Sequence, residues 1–229
     1  NIIRRMLQSS GAEVIHLGHN RSVEEVVNAA LQEDVQGIAI SSYQGGHIEY
    51  FKYMIDLLRE RGGDTIKVFG GGGGVIVHEE VNELHAYGVA YIYTPEDGRR
   101  MGLQGMIDDM MARADFDPLD GGAIDVKALA DGDQRALARV ITALQDERID
   151  DVHRDELHAL AHRRGVVPVL GITGTGGAGK SSLTDEVVRR FRRYSGEPRI
   201  AIIAIDPSRR RTGVRAGRSR APRRRTCLP

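Results

Sequence analysis

A chain of 229 residues with 41% hydrophobic and 28% charged positions can build one large or two small cores. No apolar run approaches the eighteen or so residues of a membrane span, and the single cysteine, Cys227, excludes a disulfide framework and a cysteine-based metal site, so a soluble protein of the reducing cytoplasm without a membrane partner is expected. Formal charge is zero, 32 bases against 32 acids, but residues 207–229 hold nine arginines and no acid, which makes the body acidic and the tail basic.

The chain opens without an initiator methionine and apparently inside a helix over residues 1–10, with Ile2, Ile3, Met6 and Leu7 at helical spacing, so a fragment is expected. Residues 13–17 read as a strand. Ser22 then stands three residues before Glu25, a capping-box signature, and opens a helix that turns Val23, Val26, Val27, Ala30 and Leu31 inward. Strands are predicted over 37–42, 66–69 and 90–93. Helices are predicted over 50–61, with Phe51, Met54, Ile55 and Leu58 on one face, over 79–87, and over the Met-rich 98–113. Such alternation implies parallel pairing with right-handed crossovers, hence a doubly wound α/β sheet. Ligands of such sheets sit beyond the carboxyl ends of the strands, where this chain has the loops 41–47, 70–76 and 94–98. Their glycines would let a bulky ligand approach the backbone; plain flexible loops are equally compatible with them.

From residue 116 the alternation stops. A turn-rich stretch leads into two amphipathic helices, one with Leu137, Val140, Ile141 and Leu144, the other with Leu157, Leu160 and Ala161, which together read as a helical linker over 116–165. An apolar run, 166–172, then precedes Gly-Thr-Gly-Gly-Ala-Gly-Lys-Ser at 174–181. A lysine and a hydroxyl at fixed offsets from the glycines define a phosphate-binding loop: backbone N–H groups cradle the phosphates, Lys180 reaches the outer ones and Ser181 ligates Mg²⁺. A helix over 182–194 and a strand over 199–205 complete the unit. Asp206 ends that strand, where its carboxylate can sit beside Mg²⁺ or simply form a turn with Pro207. The arginines of the tail could contact nucleic-acid phosphates, but with no aromatics to stack bases nucleic acid is not the expected partner and disorder is.

Taken together, Ser41-Ser-Tyr-Gln-Gly-Gly-His, Phe69 with five glycines, Tyr93-Thr-Pro-Glu-Asp-Gly and Gly171-Ile-Thr-Gly-Thr-Gly-Gly-Ala-Gly-Lys-Ser-Ser resemble the fused isobutyryl-CoA mutase family. The resemblance runs from the first residue to about Gly213. It implies an adenosylcobalamin-binding domain of flavodoxin-like fold over residues 1–115, the helical linker, and the beginning of a P-loop GTPase of chaperone type over 166–213, followed by an Arg-rich tail over 214–229. Ser41 and Tyr43 match the family's Ser-x-Leu position in the pocket for the nucleotide tail of cobalamin, Gly73 and Gly74 its paired glycines, and Pro95, Glu96 and Asp97 the last loop of that pocket. The resemblance also implies that Gly177, Ala178, Gly179, Lys180, Ser181 and Ser182 hold GTP, and that Ser181, Ile205 and Asp206 surround Mg²⁺. The whole enzyme would be a homodimer rearranging the carbon skeleton of an acyl-CoA bound by downstream domains. Methylmalonyl-CoA mutase, which carries the same cobalamin module, and a free-standing nucleotide-dependent cobalamin chaperone remain alternatives.

Departures from the family pattern matter as well. The cobalt-ligating Asp-x-His-x-x-Gly motif does not occur, and His16, His19, His47 and His78, none in that context, read as loop or surface histidines. No catalytic residue is assigned, and this chain is expected to be inactive by itself. The family's first strand, which lies between those at 13–17 and 37–42, is expected to be missing, leaving two unpaired strand edges and a weakly stable domain. After Gly213 the patternless Arg-rich sequence reads as a shifted reading frame.

Overall fold

The computed structural model describes residues 2–42, 45–71, 74–120, 124–196, 198–204 and 225–228, the last four by their backbone. In chain order the elements are α1 (Ile2–Ser9), β1 (Glu13–His16), α2 (Val23–Gln32), β2 (Gly37–Ser41), α3 (His47–Glu60), β3 (Lys67–Gly71), α4 (His78–Tyr87), β4 (Tyr91–Tyr93), α5 (Pro95–Arg113), α6 (Val126–Asp131), α7 (Gln134–Gln145), α8 (Asp151–Arg164), α9 (Lys180–Tyr194) and β5 (Arg225–Leu228). They fall into two units, residues 1–160 with 221–229, and residues 161–220.

In the first unit a five-stranded parallel sheet runs β1-β5-β2-β3-β4. Successive residues of a strand face opposite ways, and here both faces are buried. Ile38, Ile40, Val68 and Ile92 pack with Phe51, Met54 and Leu58 of α3, Val26, Val27 and Ala30 of α2, and Leu84 of α4. Ala39, Phe69 and Tyr93 face the other way, onto Leu7 of α1 and Ile107, Met110 and Met111 of α5. This is the doubly wound sheet expected from the alternation, and it agrees with the flavodoxin-like fold that the resemblance implied.

The slot between β1 and β2 is filled, contrary to expectation. β5, from the tail expected to be disordered, pairs with all four residues of β1 and with Gly37 and Ile38 of β2. The backbone groups of β1 and β2 need partners inside the sheet, and an extended tetrapeptide supplies them whatever its composition. The frameshift reading predicted no structure there and gave no warning of this strand.

Linker helices gather around Val140, Ala143 and Ile149. α7 also lies along α2, where Gln32 donates to Gln134 at 3.3 Å and Arg139 stands 4.0 Å from the buried carboxylate of Asp34. The short helix α6 was not anticipated.

In the second unit the phosphate loop leads into α9 as the sequence predicts. Neither apolar run flanking it is a strand: residues 166–172 and 198–204 carry no strand pairing, with Val166 98% and Ile203 89% exposed. A strand holds only against a neighbour, and no described residue of this unit pairs with either run.

Candidate functional site

Since β2, β3 and β4 are parallel, their carboxyl ends share one edge of the sheet. Register fixes the alignment: Ser41 pairs with Gly71, and Gly71 with Tyr93, so the three strands finish side by side. Ser42 N–H adds a 2.8 Å bond to the Gly71 carbonyl, tying the first rim to the second. Ser41 is exposed at the end of β2, and Gly74 is exposed in the next loop with φ of 94°. A Cβ on Gly74 would stand 3.5 Å from Pro95 Cγ, so the second and third rims meet there. Tyr43 and Gly73 lie outside the described residues. Gly70 has a different task from the one its place in a glycine run suggested. A Cβ there would lie 2.5 Å from Ile92 Cδ1 and 2.6 Å from Phe51 Cζ, so its openness is used by the core and not by a ligand.

Pro95, Glu96 and Asp97 form the first turn of α5 and not a loop. Thr94 is the N-cap, Pro95 takes the position where its missing N–H costs nothing, and Asp97 closes a capping box: it accepts from Thr94 N–H at 3.0 Å and from the Thr94 hydroxyl at 2.9 Å. Tyr91 and Arg100 donate to its other oxygen at 3.1 and 2.9 Å. Burial alone would raise the Asp97 pKa, but the Thr94 and Tyr91 hydrogen bonds and the Arg100 charge overcome it and hold the carboxyl below the usual range. Asp97 is thus an anionic anchor for the third rim. Glu96 is exposed, 3.5 Å from His78, at a cavity of about 340 Å³ that His85 and Arg100 also line.

Histidine roles differ from those expected. His16, His19 and His78 are exposed, as predicted, but His47 is buried in the first turn of α3, with Nε2 3.0 Å from Glu80 Oε2. His85, not singled out by its sequence context, accepts the N–H of Ile92 on Nε2 at 3.0 Å and so covers the outer edge of β4. Burial, aided by the Arg113 charge, lowers its pKa and favours the neutral ring that this bond requires.

Around the phosphate loop the backbone has the required form. Gly177 and Gly179 have φ of 78° and 79°, a left-handed conformation that other residues adopt at a cost. Gly179 is the N-cap of α9 and provides no side-chain cap, so no capping side chain takes up the first-turn N–H groups that a helix leaves without intrahelical acceptors. Lys180 Nζ donates to the Thr175 carbonyl at 2.7 Å, within its own loop, and Ser181 and Ser182 are exposed in the first helical turn beside Ala178. The backbone N–H groups, the ammonium and the hydroxyls fit a nucleotide phosphate chain with its Mg²⁺. Ile205 and Asp206 lie outside the described residues. Among the described residues, no group of three or more His, Cys, Asp or Glu side chains is placed to hold a metal ion, and none of the helices is long and apolar enough to cross a membrane.

Residues 1–101 match the B12 binding domain family, and residues 137–218 match the methylmalonyl-CoA mutase-associated GTPase MeaB family. The chain is 66% identical over 214 residues to the fused isobutyryl-CoA mutase of Cupriavidus metallidurans and 57% identical over 223 residues to that of Geobacillus kaustophilus. Each alignment takes in 93% of this chain and 20% of the relative, so the chain spans about one fifth of the length of these relatives. A 2-hydroxyisobutanoyl-CoA mutase small subunit from Aquincola tertiaricarbonis is 38% identical over 38% of this chain and 63% of its own length.

Proposed function

We propose, from the likeness of the chain to the fused isobutyryl-CoA mutases, that its first unit seats the nucleotide tail of adenosylcobalamin over the carboxyl ends of β2, β3 and β4. The observation that carries this reading is the register that sets Ser41, Gly71 and Tyr93 level, so that three loops open on one edge inside the segment matched to B12 binding. Ser41 and Gly74 form the rim, with Tyr43 and Gly73 beside them in the chain. Pro95 and Glu96 close the third side, and Asp97 holds the turn that presents them. What adenosylcobalamin supplies when bound is a weak cobalt–carbon bond, the source of radical chemistry that no side chain provides.

The phosphate loop serves GTP. Gly177, Ala178 and Gly179 offer backbone N–H groups, Lys180 leaves the Thr175 carbonyl to meet the outer phosphates, Ser182 adds a hydroxyl, and Ser181 ligates Mg²⁺ with Ile205 and Asp206 near it. The whole protein is a cytoplasmic homodimer that isomerises the carbon skeleton of isobutyryl-CoA or butyryl-CoA, the acyl-CoA being held outside this chain, while GTP turnover guards cofactor loading.

Equilibrium dialysis with adenosylcobalamin tests the first unit. Ser41→Arg, which crowds the rim from an exposed position, should weaken binding about tenfold or more with an unchanged melting temperature. Unaltered affinity would remove the rim from the site. For the second unit, Lys180→Ala should abolish binding of a fluorescent GTP analogue, and binding that survives would contradict the phosphate-loop assignment.

A further inference from the structure

Helices α3 and α4 face one another along three polar rungs: His47 to Glu80, Lys52 to Glu83, and Asp56 to Tyr87. The last two are exposed, whereas in the first rung the side chain of His47 is 8% exposed. That rung is also where the two helices begin, His47 being the first residue of α3 and Glu80 the third of α4. The same carboxylate oxygen, Oε2, that lies 3.0 Å from His47 Nε2 accepts the Val77 N–H at 2.9 Å. One atom therefore caps α4 and holds the first side chain of α3. The loops after β2 and β3 end at these two helix starts, and their other ends are fixed by the pairing of Ser41 with Gly71.

We propose that His47 and Glu80 are positioning residues that set the separation of Gly45 and Gly46, which lead into α3, from Gly74 to Val77, which lead into α4, and thereby the width of the slot that receives the nucleotide tail of cobalamin. The proposal rests on the cobalamin reading above. His47 donates to Glu80, and Glu80 relays the constraint to the backbone at Val77, so the pair acts on the ligand through the loops without touching it. The second and third rungs, further from the loops, hold α3 to α4 without setting the slot.

Calorimetric titration of the full chain with adenosylcobalamin and with the isolated nucleotide tail, α-ribazole 5′-phosphate, tests this alongside thermal melts. His47→Ala should raise the Kd for both probes about tenfold, and His47→Gln, which keeps a donor for Glu80, should restore most of the affinity. Lys52→Ala should lower the melting temperature slightly and leave Kd within about twofold. Should His47→Ala fail to fold, Glu80→Asp, which keeps the charge but shortens the reach, should show the same rise in Kd. Unchanged affinity in the folded variants, or an equal loss in Lys52→Ala, would overturn the positioning role. If the unsubstituted chain binds neither probe, the cobalamin reading itself fails, and this assignment with it.

Discussion

The two glycine-rich loop and helix segments of this chain, 41–60 and 174–194, look alike in sequence, yet they are stabilised in different ways. In the first, β2 is paired on both sides and α3 buries Phe51, Met54 and Leu58 against it. In the second, α9 forms with no buried residue, while the apolar run before the loop remains exposed. A helix satisfies its own hydrogen bonds, and α9 adds i,i+4 ion pairs from Asp185 to Arg189 and from Glu186 to Arg190, each worth a few tenths of a kcal/mol, about 0.3–0.5. A strand has no such local resource. The contrast separates what a loop and helix can hold by themselves from what only a sheet can provide.

Substitutions of matched type measure that contrast. Phe51→Ala should cost about 3–5 kcal/mol of unfolding free energy in urea, because the ring is fully buried against Gly70 and Ile92. Leu183→Ala, at a residue 54% exposed in α9, should cost under about 0.5 kcal/mol. Similar losses at both sites would erase the distinction. Next in size is Gly70→Ala, expected to cost about 1–3 kcal/mol through overpacking against Phe51 and Ile92, and a neutral result would show that α3 can retreat from the sheet. Asp97→Ala should cost about 1 kcal/mol through the lost cap of α5, read from the same urea transition.

The smallest expected effect depends on pH. With a folded-state pKa below the ordinary 6.5, His85 contributes fully above that value, where the ring is neutral in both states, and loses its contribution as the pH falls through its lowered pKa. The urea midpoint of the first unit should therefore drop between pH 7.5 and 5.5, and His85→Gln should flatten that dependence. An equally steep fall in the variant would place the titrating group elsewhere.

Much of this was legible in the sequence. Ser22 and Glu25 form the expected capping box, and Val26, Val27, Phe51, Met54 and Leu58 are buried as their spacing predicts, since these signals are local or periodic. The early start of α5 was missed, a loop being expected over 94–98, although Thr94-Pro-Glu-Asp carries an N-cap, a proline at the first position and an acid at the third. What could not be read depends on partners distant in the chain. His47 meets Glu80 33 residues away. The unpaired runs at 166–172 and 198–204 have strand composition, which says nothing of a neighbour. β5 fills a slot its Arg-rich surroundings gave no reason to expect, because backbone pairing is indifferent to that composition.

Amide hydrogen exchange with and without adenosylcobalamin tests the central claim most directly, that the edge over β2, β3 and β4 is a corrinoid seat. The account predicts slow exchange throughout β2, β3 and α3 in the free chain, rapid exchange over 166–172 and 198–204 in both states, and cofactor-dependent protection confined to the 42–46, 72–77 and 94–98 segments. Protection appearing elsewhere in the chain, or none at all at cofactor concentrations that saturate binding, would contradict it.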